Sequence, residues 1–127
     1  MELTQRIAAS ETSIFKAVFP NTTNHYDTLF GGNAMQLMDE VAFIAATRFC
    51  RKKVVTVSTS RIDFNHPIPA GSLIEVHGKV ERVGRTSLDV KVQIIIEHMY
   101  SDLREQAIEG TFTLVAVDDR KRPIPVI

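Results

Sequence analysis

The sequence predicts an α+β fold in which one antiparallel β-sheet curls around a single long helix. Residues 33–51 are rich in Ala, Met and Leu and contain no Gly or Pro, which indicates a helix. The segments that follow alternate apolar and polar residues, and their connections are too short for βαβ crossovers. An apolar helix and a sheet with one apolar face can bury those surfaces only against each other.

Length and composition predict a single domain over residues 1–127, with 44% hydrophobic residues available for a core. The 15 basic and 15 acidic residues cancel, so we expect neither nucleic acid nor an anionic membrane as a partner. No apolar run reaches the roughly 20 residues that a membrane-spanning helix needs. A single cysteine, Cys50, and the lack of a secretory leader predict a cytoplasmic protein.

The elements before and including the helix follow from local composition. Thr12–Phe19 is β-tolerant and predicts a strand, whereas the sequence before Thr12 gives no clear indication. Pro20–Asn24 breaks that strand and opens a polar loop that closes with Gly31-Gly32. Asn33 then suits the N-cap of a helix that reaches about Arg51.

After the helix, the apolar period changes from 3.6 residues to two. This alternation predicts an antiparallel meander with one polar face, interrupted by turns at 67–71, 84–85 and 100–104. Because such a sheet leaves its edge strands unpaired, we expect it to pair with another subunit. The predicted strands are Val54–Phe64, Ile74–Glu81, Leu88–Glu97 and Ile108–Ala116.

A carboxylate on the helix stands apart from the polar face. Gln36, Glu40 and Arg48 share a polar arc on the helical wheel, but Asp39 lies about 90° from its centre, beside Phe43. Two interpretations remain open for Asp39. It is a general base, or it is a polar group bonded across a subunit interface.

The two glycines before the helix form the other candidate site. Gly31 and Gly32 would let a ligand approach the backbone closely, and free N–H groups at a helix start favour an oxygen that gains negative charge. This is the arrangement of an oxyanion hole. An ordinary structural turn explains the same pair of glycines.

Other common site types lack support in this sequence. No nucleophile elbow, phosphate-binding loop, dinucleotide fingerprint or zinc motif is present, so we expect no cofactor. The spacing of the histidines does not suit a metal, and we expect none. Cys50 lacks a neighbouring base and is expected in the core or at the helix end. The histidines are His25, His66, His77 and His98.

The chain resembles the hotdog-fold acyl-CoA thioesterases, the group of the bacterial and brain acyl-CoA hydrolases. The helix start, Phe30–Glu40, resembles that of the family, and further segments follow in the family's order, so that the resemblance covers nearly everything after Phe19. It implies the hotdog fold and hydrolysis of fatty acyl-CoA. The other segments are Val54–Val57, Asp63–Phe64, Pro67–Ile68, Val83–Ser87 and Thr111–Asp118.

The resemblance also implies site residues and an assembly. Asn24 in the loop and Asp39 on the helix match the family's catalytic pair, which is completed between two hotdog units. A homodimer is therefore implied, and relatives often form hexamers as trimers of dimers. In this loop Asp27 replaces a glycine that relatives usually have, and His25 is a weaker candidate than Asn24. For the nucleotide of CoA, the resemblance implies a site at Arg85, Thr86 and Ser87.

We therefore expect an acyl-CoA thioesterase in which Asp39 is general base or nucleophile. Asn24 would hold the water or the carbonyl, and the N–H groups of Gly31 and Gly32 would bind the oxyanion. Two alternatives are a noncatalytic acyl-CoA-binding module and a hotdog hydratase or dehydratase, which His66 superficially suggests.

Overall fold

The computed structural model describes residues 2–127, and these form two α-helices and six β-strands. A short 3-10 turn, Pro20–Thr22, lies in the loop before the second helix. Within this part of the chain, neither helix is both long and apolar enough to cross a membrane. The elements are α1 Leu3–Ser10, β1 Thr12–Ala17, α2 Gly31–Cys50, β2 Lys53–Thr59, β3 Asp63–Phe64, β4 Leu73–Val83, β5 Ser87–Glu97 and β6 Arg104–Val117.

One antiparallel sheet contains all of the strands, in the order β1-β4-β5-β6-β2, and β3 pairs with β6. The sheet curls around α2, so the predicted α+β architecture with one long central helix is confirmed. β1 and β2 are the two edges of the main sheet. β2 therefore leaves one row of backbone N–H and C=O groups unpaired beside the helix.

The core lies between the apolar side of α2 and the inner face of the sheet. Met38, Val41 and four buried alanines of the helix pack against β-branched residues of β4 and β5. The small alanines let the helix approach the strands closely, and Gly78 of β4 lies directly under Val41. Burying each large apolar side chain here contributes about 1.5–3 kcal/mol to stability.

α2 begins two residues earlier than predicted. Phe30, with extended backbone angles, is the N-cap, and Ala34 N–H donates to Phe30 O at 3.1 Å, so the prediction of Asn33 as the cap is wrong. Both glycines adopt helical geometry and form the first turn. They gain no hydrogen bond from a capping side chain.

The predicted strand Val54–Phe64 is divided into β2 and β3. Ile62 is the cause, because its Cγ1 lies 2.7 Å from the position that a Cβ on Gly110 would occupy. Ile62 thus packs into a notch over β6, and the chain bends around it. The hydroxyl of Ser60 then accepts a hydrogen bond from Thr111 N–H at 2.9 Å, replacing a ladder bond.

Helix α1 was not predicted. Arginine side chains of α2 and of α1 itself hold it in place through hydrogen bonds. Arg48 donates to the carbonyl oxygens of Ala9 and Glu11 at 2.8 and 2.9 Å. Arg6 donates to Phe49 O at 2.8 Å. These contacts join residues about 40 positions apart, so they stabilise α1 in a way that local sequence does not indicate.

Replacing Gly78 by Ala tests the close helix–sheet contact. The added Cβ would lie 2.8 Å from Val41 Cγ1, on a stiff β-branched side chain. We expect Gly78→Ala to lower the free energy of unfolding by about 1–3 kcal/mol, measured by urea denaturation. The control Lys79→Ala, on the exposed face of the same strand, should change it by less than about 0.5 kcal/mol. Equal stability of both variants would contradict the tight contact.

Candidate functional site

The loop before α2 is organised around the side chain of Asn24. Its Oδ1 accepts hydrogen bonds from Tyr26 N–H at 2.9 Å, from Thr28 N–H at 3.3 Å and from Thr28 Oγ1 at 3.1 Å. Because backbone N–H groups can only donate, these contacts assign the carbonyl end of the amide to the loop. The amide NH₂ of Asn24 makes no hydrogen bond to any residue in 2–127 and remains available as a donor.

Asp27 lies three residues after Asn24, and its backbone is left-handed, with φ of 59°. Aspartate tolerates this conformation better than most residues, and two hydrogen bonds hold it. Asp27 N–H donates to Asn24 O at 3.1 Å, and Asp27 O accepts from Ala70 N–H at 2.8 Å. These bonds close a tight turn that places an exposed carboxylate close to Asn24 in the chain.

Gly31 and Gly32 lie at the start of α2, where the N–H groups of the first turn have no intrahelical acceptor. Phe64 and Phe30 flank them. A Cβ on Gly32 would lie 3.0 Å from the Phe30 ring, and one on Gly31 would lie 3.8 Å from Phe64. The backbone at Gly32 thus sits close beneath an aromatic ring at the positive end of a 20-residue helix.

Asp39 lies two helical turns further along α2, at the side of the edge strand β2. Its Oδ1 accepts a hydrogen bond from Thr56 Oγ1 at 2.8 Å, and its side chain is exposed in the single chain. The two residues border an open cleft of about 380 Å³ that also includes Gly32. The structure therefore brings together two of the predicted site residues, Asp39 and Gly32. The full lining is Gly32, Met35, Gln36, Asp39, Thr56, Thr59 and Phe112.

Thr56 is the site residue that the sequence analysis missed. It lies in the β-branched run Lys53–Thr59, where a threonine is an ordinary strand residue. The only signal in the sequence is that Thr56 interrupts an apolar run, and that signal does not identify a partner 17 residues away on the helix.

Asn24 does not line the cleft that holds Asp39. The predicted catalytic pair is thus not assembled within one chain. At this edge of the fold, Phe43 of α2 and Val55 and Val57 of β2 are 49%, 42% and 55% exposed, so the edge strand and the neighbouring helix present apolar surface.

The predicted nucleotide site, Arg85–Ser87, is the turn between β4 and β5. Gly84 N–H donates to Ser87 O at 2.8 Å and closes the turn. Arg82 binds Asp89 and also donates to Ser87 Oγ at 3.2 Å, and its hydrogen bond lowers the pKa of the Asp89 carboxyl. The guanidinium of Arg82 therefore already has hydrogen-bond partners within the fold.

The side chain of Arg85, in contrast, makes no hydrogen bond or ion pair to residues 2–127, and the structure leaves it as the uncommitted cation of this turn. The backbone of the turn is fixed by hydrogen bonds from other segments of the same chain. Thr86 O accepts from Ala116 N–H at 3.0 Å, and Arg85 O accepts from Val126 N–H at 2.9 Å.

The remaining candidates are dispersed over the fold. Cys50 is buried at the end of α2, and His25 stacks on Tyr26 with ring centroids 3.9 Å apart. His66 borders a separate cavity near Leu29 and Phe64. Across residues 2–127, no three His, Cys, Asp or Glu side chains are grouped so as to hold a metal ion.

Comparison with known proteins places this chain in a family. Residues 26–101 match the thioesterase superfamily model. An acyl-CoA thioester hydrolase of Bacillus subtilis, described as uncharacterized, is 38% identical over 99% of this chain and 74% of its own length. A hexameric acyl-CoA thioesterase in its apo form superimposes with a TM-score of 0.91 at 34% identity, covering 94% of this chain and 76% of the other.

The acyl-CoA hydrolase of Staphylococcus aureus superimposes with a TM-score of 0.90 at 35% identity, over 94% of this chain and 73% of its own. It was solved in complex with butyryl coenzyme A, coenzyme A and coenzyme A disulfide. Structures of its variants carry alanine in place of an asparagine, an aspartate or a threonine. With a matching family model, a similar relative and this shared architecture, the chain belongs to the thioesterase superfamily and has the hotdog fold that its sequence predicts.

Proposed function

We propose that this protein hydrolyses acyl-CoA thioesters to a free carboxylic acid and CoA. The observation that carries the proposal is the Asp39 carboxylate, which Thr56 holds at 2.8 Å in an open cleft that also reaches the helix start at Gly32. The relatives named as acyl-CoA hydrolases, one of them solved with butyryl coenzyme A, support this substrate class.

Asp39 acts as the base in the simplest reaction. It takes a proton from water while the water oxygen attacks the thioester carbonyl carbon, and the carbon–sulfur bond then breaks. The leaving thiolate accepts a proton, and its pKa of about 8.5 makes departure far easier than that of an amine. In a covalent variant, Asp39 attacks the carbonyl carbon itself, and water hydrolyses the resulting mixed anhydride.

Thr56 positions this carboxylate. Its hydroxyl donates to Oδ1 of Asp39, which leaves Oδ2 without a partner in residues 2–127 and able to accept a proton. Such a bond fixes one rotamer of a side chain that is otherwise exposed. The alanine variants of the Staphylococcus aureus enzyme affect the same three residue types as Asn24, Asp39 and Thr56.

The oxyanion would be bound at the start of α2. The first-turn N–H groups of Gly31 and Gly32 lack intrahelical acceptors and lie at the positive end of the helix dipole. The amide NH₂ of Asn24 supplies a further donor, because only its carbonyl end is used by the loop. Asn24 orients the water or the carbonyl oxygen.

The complete site requires two subunits. Asn24 lies outside the cleft of its own chain, whereas Asp39 lies beside an unpaired, partly apolar edge strand. Pairing of β2 with β2 of a second copy would cover this edge and bring the loop of one subunit to Asp39 of the other. We propose a homodimer as the catalytic unit and a hexamer as the assembly, which the hexameric structural relatives support.

CoA recognition would involve the turn Arg85–Ser87. Arg85 has an uncommitted guanidinium, which suits a phosphate, and the hydroxyl groups of Thr86 and Ser87 add hydrogen-bond capacity. A noncatalytic CoA-binding module would use the same turn without need of the Thr56–Asp39 pair. Release of free thiol from acyl-CoA distinguishes the two functions.

Removal of the base is the first test. We expect Asp39→Asn to lower kcat for thiol release from acyl-CoA by about 10²–10⁴-fold, because an amide cannot take the proton. The matched control is Glu40→Gln, which removes the neighbouring carboxylate on the exposed face and should leave kcat within about twofold. Both variants should keep the wild-type oligomer size by light scattering. Full turnover by Asp39→Asn would refute the assignment.

The role of Thr56 has its own signature. Thr56→Val keeps the shape but removes the donor, and we expect kcat to fall about tenfold with KM nearly unchanged. Thr56→Ser keeps the hydroxyl and should restore most of the rate. A serine variant as slow as the valine variant would show that strand packing, and not the hydrogen bond to Asp39, matters at this position.

Arg85 is tested by comparing substrates. Arg85→Ala should raise KM for an acyl-CoA about tenfold, the cost of one charge-assisted contact to phosphate. The same variant should leave KM for the corresponding acyl-pantetheine unchanged, since that ester lacks the nucleotide. Equal increases for both esters would exclude contact between Arg85 and the nucleotide.

A further inference from the structure

The cleft that contains Asp39 has a second hydroxyl in its wall, on the edge strand β2. Thr59 lines this cleft together with Asp39 and Thr56, and it is exposed in the single chain. The neighbouring hydroxyls are occupied, since Thr56 donates to Asp39 and Ser60 accepts a hydrogen bond from Thr111 N–H. Within residues 2–127 the hydroxyl of Thr59 has no partner, so it remains available to a ligand in the cleft.

A β-bulge turns Thr59 toward the cleft. In a regular strand, residues three positions apart point to opposite faces, so Thr56 and Thr59 would not share a side. The pairing of β2 with β6 shifts here, however, with Thr56 opposite Leu114 and Thr59 opposite Phe112. Leu114 and Phe112 are both buried in the core, so both threonines lie on the inner face of the sheet. Val57 is the extra residue of the bulge.

The bulge changes which residue reaches the cleft. Without it, strict alternation would place Ser58 on the inner face and Thr59 on the outer face. Ser58 instead lies opposite Thr113, whose hydroxyl donates to Asp89 on the outer face. β-Bulges are frequent beside active sites, where they redirect a side chain by interrupting the ladder. The irregularity at this position therefore points to a role for Thr59 beyond that of an ordinary strand residue.

Thr59 lies along the cleft between Asp39 and the helix start. β2 runs back along α2 toward Gly32, and between Thr56 and Thr59 it advances by two residues of β6, about 7 Å at 3.4 Å per residue. Gly32 lies about 10.5 Å from Asp39 along the helix axis, at 1.5 Å per residue. Because the hydrogen bond to Asp39 fixes Thr56 level with the carboxylate, Thr59 faces the stretch of helix that separates this carboxylate from the first-turn N–H groups.

A thioester carbonyl bound in the cleft would lie along this stretch. Water activated by Asp39 must reach the carbonyl carbon, while the carbonyl oxygen must reach the N–H groups of Gly31 and Gly32. Both conditions place the carbonyl group between the carboxylate and the helix start, opposite Thr59. A hydroxyl can donate to it there, because its hydrogen rotates about the C–O bond. Being neutral, the hydroxyl does not lower the basicity of Asp39 as a lysine at this place would.

We infer that Thr59 is a catalytic residue that donates a hydrogen bond to the oxyanion from the strand side of the cleft. The inference rests on the proposed function and adds a side-chain donor to it. When the water oxygen bonds to the carbonyl carbon, the π electron pair moves to the carbonyl oxygen, and Thr59 holds that oxygen without losing its own proton. The pair returns as the carbon–sulfur bond breaks and the thiolate leaves, so the hydroxyl ends the cycle unchanged.

Thr59→Val removes the hydroxyl but keeps the shape of the side chain. We expect kcat for thiol release from acyl-CoA to fall about 10–100-fold with KM within about twofold, because the donor acts most strongly on the developing charge. Thr59→Ser keeps the donor and should restore kcat to within about threefold of the wild type. Both variants should keep the wild-type oligomer size. An unchanged kcat in the valine variant, or a serine variant as slow as the valine variant, would overturn the inference.

Ser58→Ala is the matched control. It removes the hydroxyl of the adjacent residue, which lies on the outer face of the same bulge. It should leave kcat within about twofold. A loss equal to that of Thr59→Val would show that the rate depends on the conformation of the bulge and not on a donor in the cleft, and the inference would fail.

Binding of two acyl-CoA analogues separates this role from a structural one. A trifluoromethyl ketone analogue adds water and presents a tetrahedral carbon with an oxygen in the place of the oxyanion, whereas an S-alkyl-CoA thioether has no carbonyl oxygen. By calorimetry, Thr59→Val should raise the Kd of the ketone about 10–100-fold and leave that of the thioether within about twofold. Equal changes for both ligands would contradict a contact with the oxyanion.

The proposed function fails separately, if the wild-type protein releases no thiol from any acyl-CoA. The Kd values of the two analogues do not depend on turnover. Even then, they decide whether Thr59 donates to an oxygen bound near the start of α2.

Discussion

The packing of α2 against the curled sheet is the interaction on which the rest of the structure depends. One side of the helix carries residues such as Met38 and Val41 that are fully buried, and small alanines between them set the helix close to β4 and β5. Because the backbone is fixed by this contact, residues on the uncovered side are held rigidly. Asp39 is one of them, so its position follows from core packing one residue away at Met38.

The same packing explains why the candidate site is open. A single helix cannot cover the whole inner face of a wide sheet, and the edge strand β2 leaves apolar surface exposed beside it. In the proposed dimer, burying this surface against a second copy would stabilise the assembly and would also remove bulk water from around the Asp39 carboxylate. Exclusion of water strengthens the hydrogen bonds on which the proposed mechanism relies.

Much of the fold was predictable because it follows from local periodicity, whereas the missed features depend on contacts between distant residues. In β4, β5 and β6, apolar and polar residues alternate because one face of the sheet is buried. The Ala-rich run likewise predicts α2. Helix α1 instead depends on a hydrogen bond from Arg48 of α2. The break after β2 comes from Ile62, which packs on Gly110. Asp39 was recognisable as a carboxylate out of place on the helical wheel. Its partner Thr56 was not, since the bond between them exists only in the folded chain.

The distribution of charge shows why composition alone misleads about binding. The chain has no net charge, which led to the expectation of no strong electrostatic attraction by the whole protein. Several acidic residues, however, form ion pairs on the outer face of the sheet, such as Glu75 with Arg104 and Glu109 with Lys91. Arg85, in contrast, is in no ion pair within residues 2–127, so its charge is not cancelled locally. A protein without net charge can thus still carry a local cation that suits an anionic group, because pairing is decided contact by contact and not by the overall sum.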